Sequence, residues 1–138
     1  GRIEVLLFGE VFDQYRESLQ KDTVVVVSGG VRVDHYRGGM QMNVREVYGI
    51  GEARSHYAKA LVIKARQHHF ATGLADTLDT MLANNRAGGC PVVIEYQGEG
   101  AQAKLMLGNG RRLAPDDDVM QTLRQMLGKD NVFLNYAR

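Results

Sequence analysis

Residues 24–47 read VVVVSGGVRVDHYRGGMQMNVREV, and their pattern decides the fold of the first part of the chain. Residues 24–33 are mostly valine, a β-branched side chain that packs well on a pleated surface and loses rotamer freedom in a helix. Gly29-Gly30 breaks the run, as happens at a bulge or bend in a curved strand. After the polar segment DHYRGG, Met40, Met42 and Val44 alternate with Gln41, Asn43 and Arg45, so a second strand follows. The spacing predicts a hairpin whose loop carries His35, Tyr36 and Arg37, and its curvature points to a barrel.

Upstream of the hairpin, Ile3, Val5 and Leu7 alternate with Glu4, Leu6 and Phe8, which predicts a strand over residues 2–8. Val11, Phe12, Tyr15 and Leu19 then recur at helical spacing, with Glu10 and Asp13 early, where a helix N-terminus favours negative charge. A helix over residues 9–20 is expected, its apolar stripe plugging one end of the barrel. Gly49, Gly51 and the charged residues 52–56 read as the end of this unit and a helical connector. Gly1 leads almost at once into a β pattern, so the chain is expected to be a fragment of a longer one.

The second half has a different rhythm. ALVIKA at residues 60–65 is a strand, and Leu74, Leu78, Met81 and Leu82 make one face of a helix that stops near Asn84-Asn85 and Gly88-Gly89. Strands are expected from Pro91 through VVIEY, over AQAKLML, and, after the GNG turn at residues 108–110, over RRL. Pro115 and Asp116 start a helix with Val119, Met120, Leu123 and Leu127 on its buried face, and Gly128 ends it. NVFLNY is the last strand. The order strand, helix, three strands, helix, strand predicts an α+β sandwich with two helices on a mixed sheet.

Length and composition bound the function. At 138 residues the chain is one domain or two small ones, too short for a polymerase, kinase or dehydrogenase core. With 44% hydrophobic and 24% charged residues it has the composition of a folded globular protein. It has no apolar run of membrane-spanning length, so no membrane partner is expected. The single cysteine, Cys90, cannot form an internal disulfide and fits a reducing compartment, so the cytoplasm is the expected location. A net charge of +1 confines any nucleic-acid contact to a local patch. Nucleotide-binding glycine loops, zinc-protease, paired-cysteine and serine-hydrolase motifs are all missing from the sequence. His68-His69 would need further convergent ligands to hold a metal and reads as a solvated connector. Asp116, Asp117 and Asp118 read as an acidic first helical turn rather than as catalytic carboxylates.

The hairpin is the informative feature. In small five-stranded barrels of the OB type, single-stranded nucleic acid lies across strands 2 and 3 and is gripped by the loop joining strands 4 and 5. Tracking a backbone needs cations, and stacking on bases needs a π face. Arg32, His35, Tyr36, Arg37 and Arg45 supply both, although a charged hairpin loop is commonly just solvated.

GRIEVLLFGEVFDQY, the run V-S-G-x-V-x-x-D-x-x-x-G-G-x-x-x-x-x-R-E-V, the EARSHYAKAL connector, G-N-G-R-R-L-A-P-D-D and the terminal NVFLNY together resemble the C-terminal region of the bacterial replicative DNA polymerase III alpha subunit. The resemblance covers essentially the whole chain. It implies a truncated OB-fold β-barrel, strands 3 to 5 with the intervening helix, over residues 1–57. A small α+β domain that docks the tau subunit of the clamp loader would occupy residues 58–138. It also implies weak contact with single-stranded DNA, possible contact with the sliding clamp, and catalysis and magnesium only in upstream parts of the parent polymerase, with no cofactor here. The first two barrel strands would be missing, which leaves open edges and predicts self-association. Where relatives tend to have an aromatic and a capping Ser, this chain has Arg111 and Ala114, so either Asp116 caps the helix, which then starts later, or the first turn is less stable by ~1 kcal/mol. For docking, alternation in the last strand leaves Phe133 away from Val132, Leu134 and Tyr136. Phe133, Leu134 and Tyr136, with Arg111 and Arg112 as a basic rim, form the expected partner patch. Competing readings are an anticodon-binding OB domain of an aminoacyl-tRNA synthetase and an interaction domain without nucleic acid.

Overall fold

The computed structural model describes residues 1–84 and 88–136, and the chain divides into two compact units, Gly1–Ile50 and Gly51–Arg138.

In the first unit, β1 (Glu4–Leu6), β2 (Val25–Val33) and β3 (Met40–Gly49) form an open sheet in the order β1-β3-β2. β2 and β3 are the antiparallel hairpin, and β1 lies parallel to β3 with Glu4 opposite Gln41 and Leu6 opposite Asn43. The register slips between Ser28 and Gly29, so Arg45 is an extra residue of β3 and the bend expected at the glycine pair is a bulge. A Cβ on Gly29 would stand 2.0 Å from the Asn43 carbonyl oxygen, which is why glycine is needed there.

No sheet among the described residues closes, so the barrel is present only as this open piece. Helix α1 (Gly9–Tyr15) starts where expected but is shorter than residues 9–20, for after Tyr15 the chain continues in turns in which Ser18 and Leu19 donate to the Tyr15 carbonyl. Val11, Tyr15 and Leu19 are half-buried, but Phe12 is 45% exposed and does not plug the unit. Three strands do not surround the helix, and only Val44 and Val47 of this unit reach full burial among the described residues.

The second unit has a conventional core. Helix α2 (Ile50–Tyr57) leads in, with Ala53 buried and Arg54 paired to Asp117. Strands β4 (Ala60–Ala65), β5 (Cys90–Gly98), β6 (Ala101–Met106) and β8 (Val132–Asn135) form the order β6-β5-β4-β8. β4 and β5 run parallel, and the short β7 (Arg112–Leu113) pairs with the start of β5. The crossover between β4 and β5 holds helices α3 (Gln67–Ala71) and α4 (Leu74–Asn84); α5 (Asp117–Leu127) follows β7. Leu61, Ile63, Val92 and Ile94 face Leu74, Leu78, Val119, Met120, Leu123 and Leu127 in one apolar cluster. Burying each large aliphatic chain contributes roughly 1.5–3 kcal/mol.

The short α3 occupies the segment read as a connector, and Asn85 lies outside the described residues. Cys90 is fully buried, and burial pushes its thiol pKa up, consistent with a structural role. No described helix is long and apolar enough to cross a membrane.

Asp116 does cap α5: its Oδ1 accepts from the Val119 amide at 2.8 Å. Asp116→Ala is expected to destabilise the second unit by about 1 kcal/mol and Asp116→Asn by much less, measured by urea unfolding. In the first unit, the unpaired edges of β1 and β2 and the exposed Val5, Val31 and Val33 predict self-association. A strictly monomeric species in sedimentation up to tens of micromolar would contradict that expectation.

Candidate nucleic-acid interface

The hairpin loop is built by Asp34. Its Oδ1 accepts from the amides of Tyr36 at 2.9 Å and Arg37 at 3.2 Å, and its backbone carbonyl accepts from Gly38. Gly38 and Gly39 have φ of 73° and 95°, the left-handed region that lets so short a loop reverse. The Tyr36 and Arg37 amides, with the Arg37 and Arg32 guanidinium groups nearby, hold the Asp34 carboxyl below its ordinary pKa.

This turn leaves the Tyr36 ring fully exposed. Tyr36, His35, Arg37 and Arg32 line one shallow cleft together with Leu6 and Gln41. Four of the five expected residues therefore converge. Arg45 does not: it sits at the bulge, near Gly30, and Gln41 is the β3 side chain that lines the cleft.

The cleft also contains an acid that sequence reasoning passed over. Arg37 Nη1 pairs with Glu4 Oε1 at 3.4 Å, and Gln41 Nε2 donates to Glu4 Oε2 at 3.1 Å and to Asp34 Oδ2 at 3.3 Å. Arg32 Nη2 donates to Gln41 Oε1 at 3.4 Å. The parallel register of β1 on β3 brings Glu4 there, and a strand pairing across 37 positions leaves no local trace beyond the alternation of residues 3–8. Two arginines are thus offset by two carboxylates. The Arg37–Glu4 pair is exposed, and such pairs are worth about 0–1 kcal/mol, so an incoming phosphate can displace it.

The expected partner patch in the second unit is not assembled. β7, carrying Arg112, pairs with β5, whereas β8 lies beyond β4, so two strands separate the arginines from Phe133. At the usual strand spacing that is roughly 14 Å. Arg111 instead pairs with Asp79 of α4 at 3.8 Å, and Arg112 donates to the Gly89 carbonyl at 3.1 Å. The alternation itself holds: Val132 is buried, Leu134 packs on the core, and Phe133 is 37% exposed with Lys64 Nζ 5.5 Å from its ring centre. Tyr136 is exposed beyond the end of β8.

His68 and His69 do not point apart as on a strand. They stand on α3 with ring centres 4.0 Å apart, and His69 Nδ1 accepts from the Arg66 amide at 3.0 Å, a capping role. Burial first, then His68 and Arg66, push the His69 pKa down. No group of three or more potential metal ligands occurs among the described residues.

Comparison with known proteins agrees with both halves of this geometry. Residues 1–49 match the model of the OB-fold nucleic acid binding domain, which defines the class of the first unit. Residues 77–128 match DNA polymerase III subunit alpha, C-terminal domain. Over 99% of its length the chain is similar to DNA polymerase III subunit alpha of Vibrio cholerae (40% identity) and of Escherichia coli K12 (38%). The same coverage holds for the Pseudomonas aeruginosa subunit at 39%. The resemblance read from the residues is therefore borne out, and the chain spans 12% of the length of these relatives.

Because hydrogen bonds from two backbone amides favour the carboxylate of Asp34, their contribution to the loop's order is complete above the ordinary pKa of 3.8 and is lost as pH falls through the depressed folded value. The Tyr36 and Arg37 amide resonances should titrate together with a midpoint below 3.8; a midpoint at or above it would mean the carboxylate does not hold the turn.

Proposed function

We propose that this chain serves a replicative DNA polymerase as a non-catalytic segment that touches single-stranded DNA through the 34–39 hairpin and docks a clamp-loader protein through its second unit. One observation carries the DNA contact: a fully exposed Tyr36 ring flanked by Arg32 and Arg37 on the loop of a segment that matches OB-fold nucleic acid binding domains. The ring offers a stacking face and the guanidinium groups offer phosphate contacts. Affinity is expected to be weak, because Glu4 and Asp34 compensate the arginines. His35 contributes at the same rim, and Arg45, away from the loop, plays a smaller part.

With a labelled thymidine oligonucleotide and the full chain at low salt, Tyr36→Ala/Arg37→Ala should weaken binding by roughly five-fold to more than a hundred-fold, the range of one stacked base. Arg45→Ala should change it less. Equal affinity in the double variant would refute the assignment of this loop, and affinity independent of salt would refute phosphate contact altogether.

Docking of the tau subunit is placed on the sheet face that carries Phe133. An aromatic ring exposed beside a cation has the character of an anchor for a partner. Phe133→Ala, checked for folding, should lower tau affinity by more than ten-fold, as an anchor residue does. Arg111→Ala and Arg112→Ala should have little effect, since they lie across the sheet and are engaged elsewhere. The sliding clamp is a weaker candidate partner, for no described feature singles out a surface for it. The segment is assigned no cofactor and a cytoplasmic place of action; magnesium belongs to the parent polymerase's catalysis. The purified chain should not extend a primer with magnesium or manganese, and extension abolished by changing Asp116, Asp117 or Asp118 would overturn that assignment.

A further inference from the structure

A second cleft, of about 460 Å³, lies at one end of the second unit's sheet. Topology explains its composition. β4 and β5 are parallel, so their carboxyl ends, at Lys64–Arg66 and Glu95–Gln97, come together. β6 runs antiparallel to β5, so its first residues, including Gln102 and Lys104, arrive at the same end. β8 runs antiparallel to β4, which brings Asn131, just ahead of Val132, to that end too. The crevice outside the carboxyl ends of parallel strands is where open α/β sheets bind ligands.

The cleft's charges are unbalanced. Lys64, Arg66 and Lys104 face Glu95, which among the described residues is the one carboxylate lining it and which already pairs with Lys104 at 3.8 Å. Among the described residues no carboxylate pairs with Lys64 or Arg66. Gln97, Gln102 and Asn131 add neutral side-chain amides that can donate. His69 also lines the cleft, where burial first and then the neighbouring His68 and Arg66 act against its protonation. This is the opposite of the hairpin cleft, where every arginine has an acid within its network.

We propose that this cleft binds phosphate oxyanions, with Arg66 and Lys104 as the principal ligands and Lys64 at the rim. The shared chemistry is a phosphate dianion or diester, supplied either by a single strand of nucleic acid or by a free nucleotide. Arg66 can grip two oxygens at once, and Lys104 exchanges its partner Glu95 for the anion. The site is independent of the hairpin and does not rest on that assignment.

The test uses the full chain, observed by amide chemical shifts, with three probes: inorganic pyrophosphate, dTTP without metal, and a thymidine oligonucleotide. Pyrophosphate is expected to shift the amides of Ala65, Gln97 and Ala103, which line the cleft, and to leave those of Tyr36 and Arg37 in place. Arg66→Gln/Lys104→Gln, folded by its unchanged core resonances, should weaken pyrophosphate at least ten-fold, whereas Tyr36→Ala/Arg37→Ala should not change it. If a strand of nucleic acid is the source, the oligonucleotide shifts the same amides and the double variant lowers the salt slope of its affinity by roughly 1.4, about 0.7 per lost phosphate contact. If a free nucleotide is the source, dTTP shifts them and the oligonucleotide does not. Absence of saturable shifts with all three probes would overturn the proposal, as would a poly-glutamate peptide that binds this cleft when pyrophosphate does not.

Discussion

The parallel pairing of β4 with β5 is the constraint on which the second unit depends. Two parallel neighbours cannot be joined by a tight turn, so the chain after Ala65 must travel back the full length of the sheet before Cys90 can begin. That return carries α4 across one face, which is why Leu74 and Leu78 meet Leu61, Ile63 and Val92 in a single cluster. With one face covered, α5 completes the layer and the antiparallel β6 and β8 take the two edges. The same pairing makes the two strands end side by side. Lys64, Arg66, Glu95 and Gln97 are neighbours through topology alone, from segments about thirty residues apart in sequence.

The first unit shows what such a sheet looks like without a second layer. Its own parallel pair, β1 on β3, fixes Glu4 against Gln41 and so against the hairpin loop. The bulge at Arg45 then shifts the alternation of β3 by one, and Val44 and Val47, three residues apart, are both buried. Beyond these two, valines at 5, 31 and 33 and Met40 remain exposed on the open sheet. The sequence patterning of this unit thus specifies more apolar surface than its three strands can cover.

What was legible in the sequence follows from the range of the forces involved. Alternation, helical spacing and turn chemistry are local, so β2, β3, β5, α4 and α5 could be read, as could the bulge and the start of α5 at Asp116. The short α3 was missed because five residues with two histidines carry no apolar period, and its cap, the His69 imidazole, is not a usual capping side chain. The partner patch failed for a different reason. Placing Arg111 next to Phe133 required the strand order, and nothing within residues 108–136 states that β7 joins β5 while β8 joins β4. The hairpin residues converged because they are close in sequence, and Glu4 was overlooked because it is not.

Net charge is a poor guide to where this chain meets anions. At physiological ionic strength exposed charges are screened over about 8 Å, so a charge of +1 spread over 138 residues exerts little pull, and only local imbalance matters. The hairpin has an exposed ring but compensated cations; the cleft at the sheet's end has cations in excess but only a half-buried ring, Tyr96. Stacking falls off little with salt, whereas phosphate neutralisation falls steeply. Under the two proposals, contact at the hairpin is therefore dominated by the base and contact at the cleft by the backbone. Raising the salt should release the cleft first, and the residual binding should depend on Tyr36.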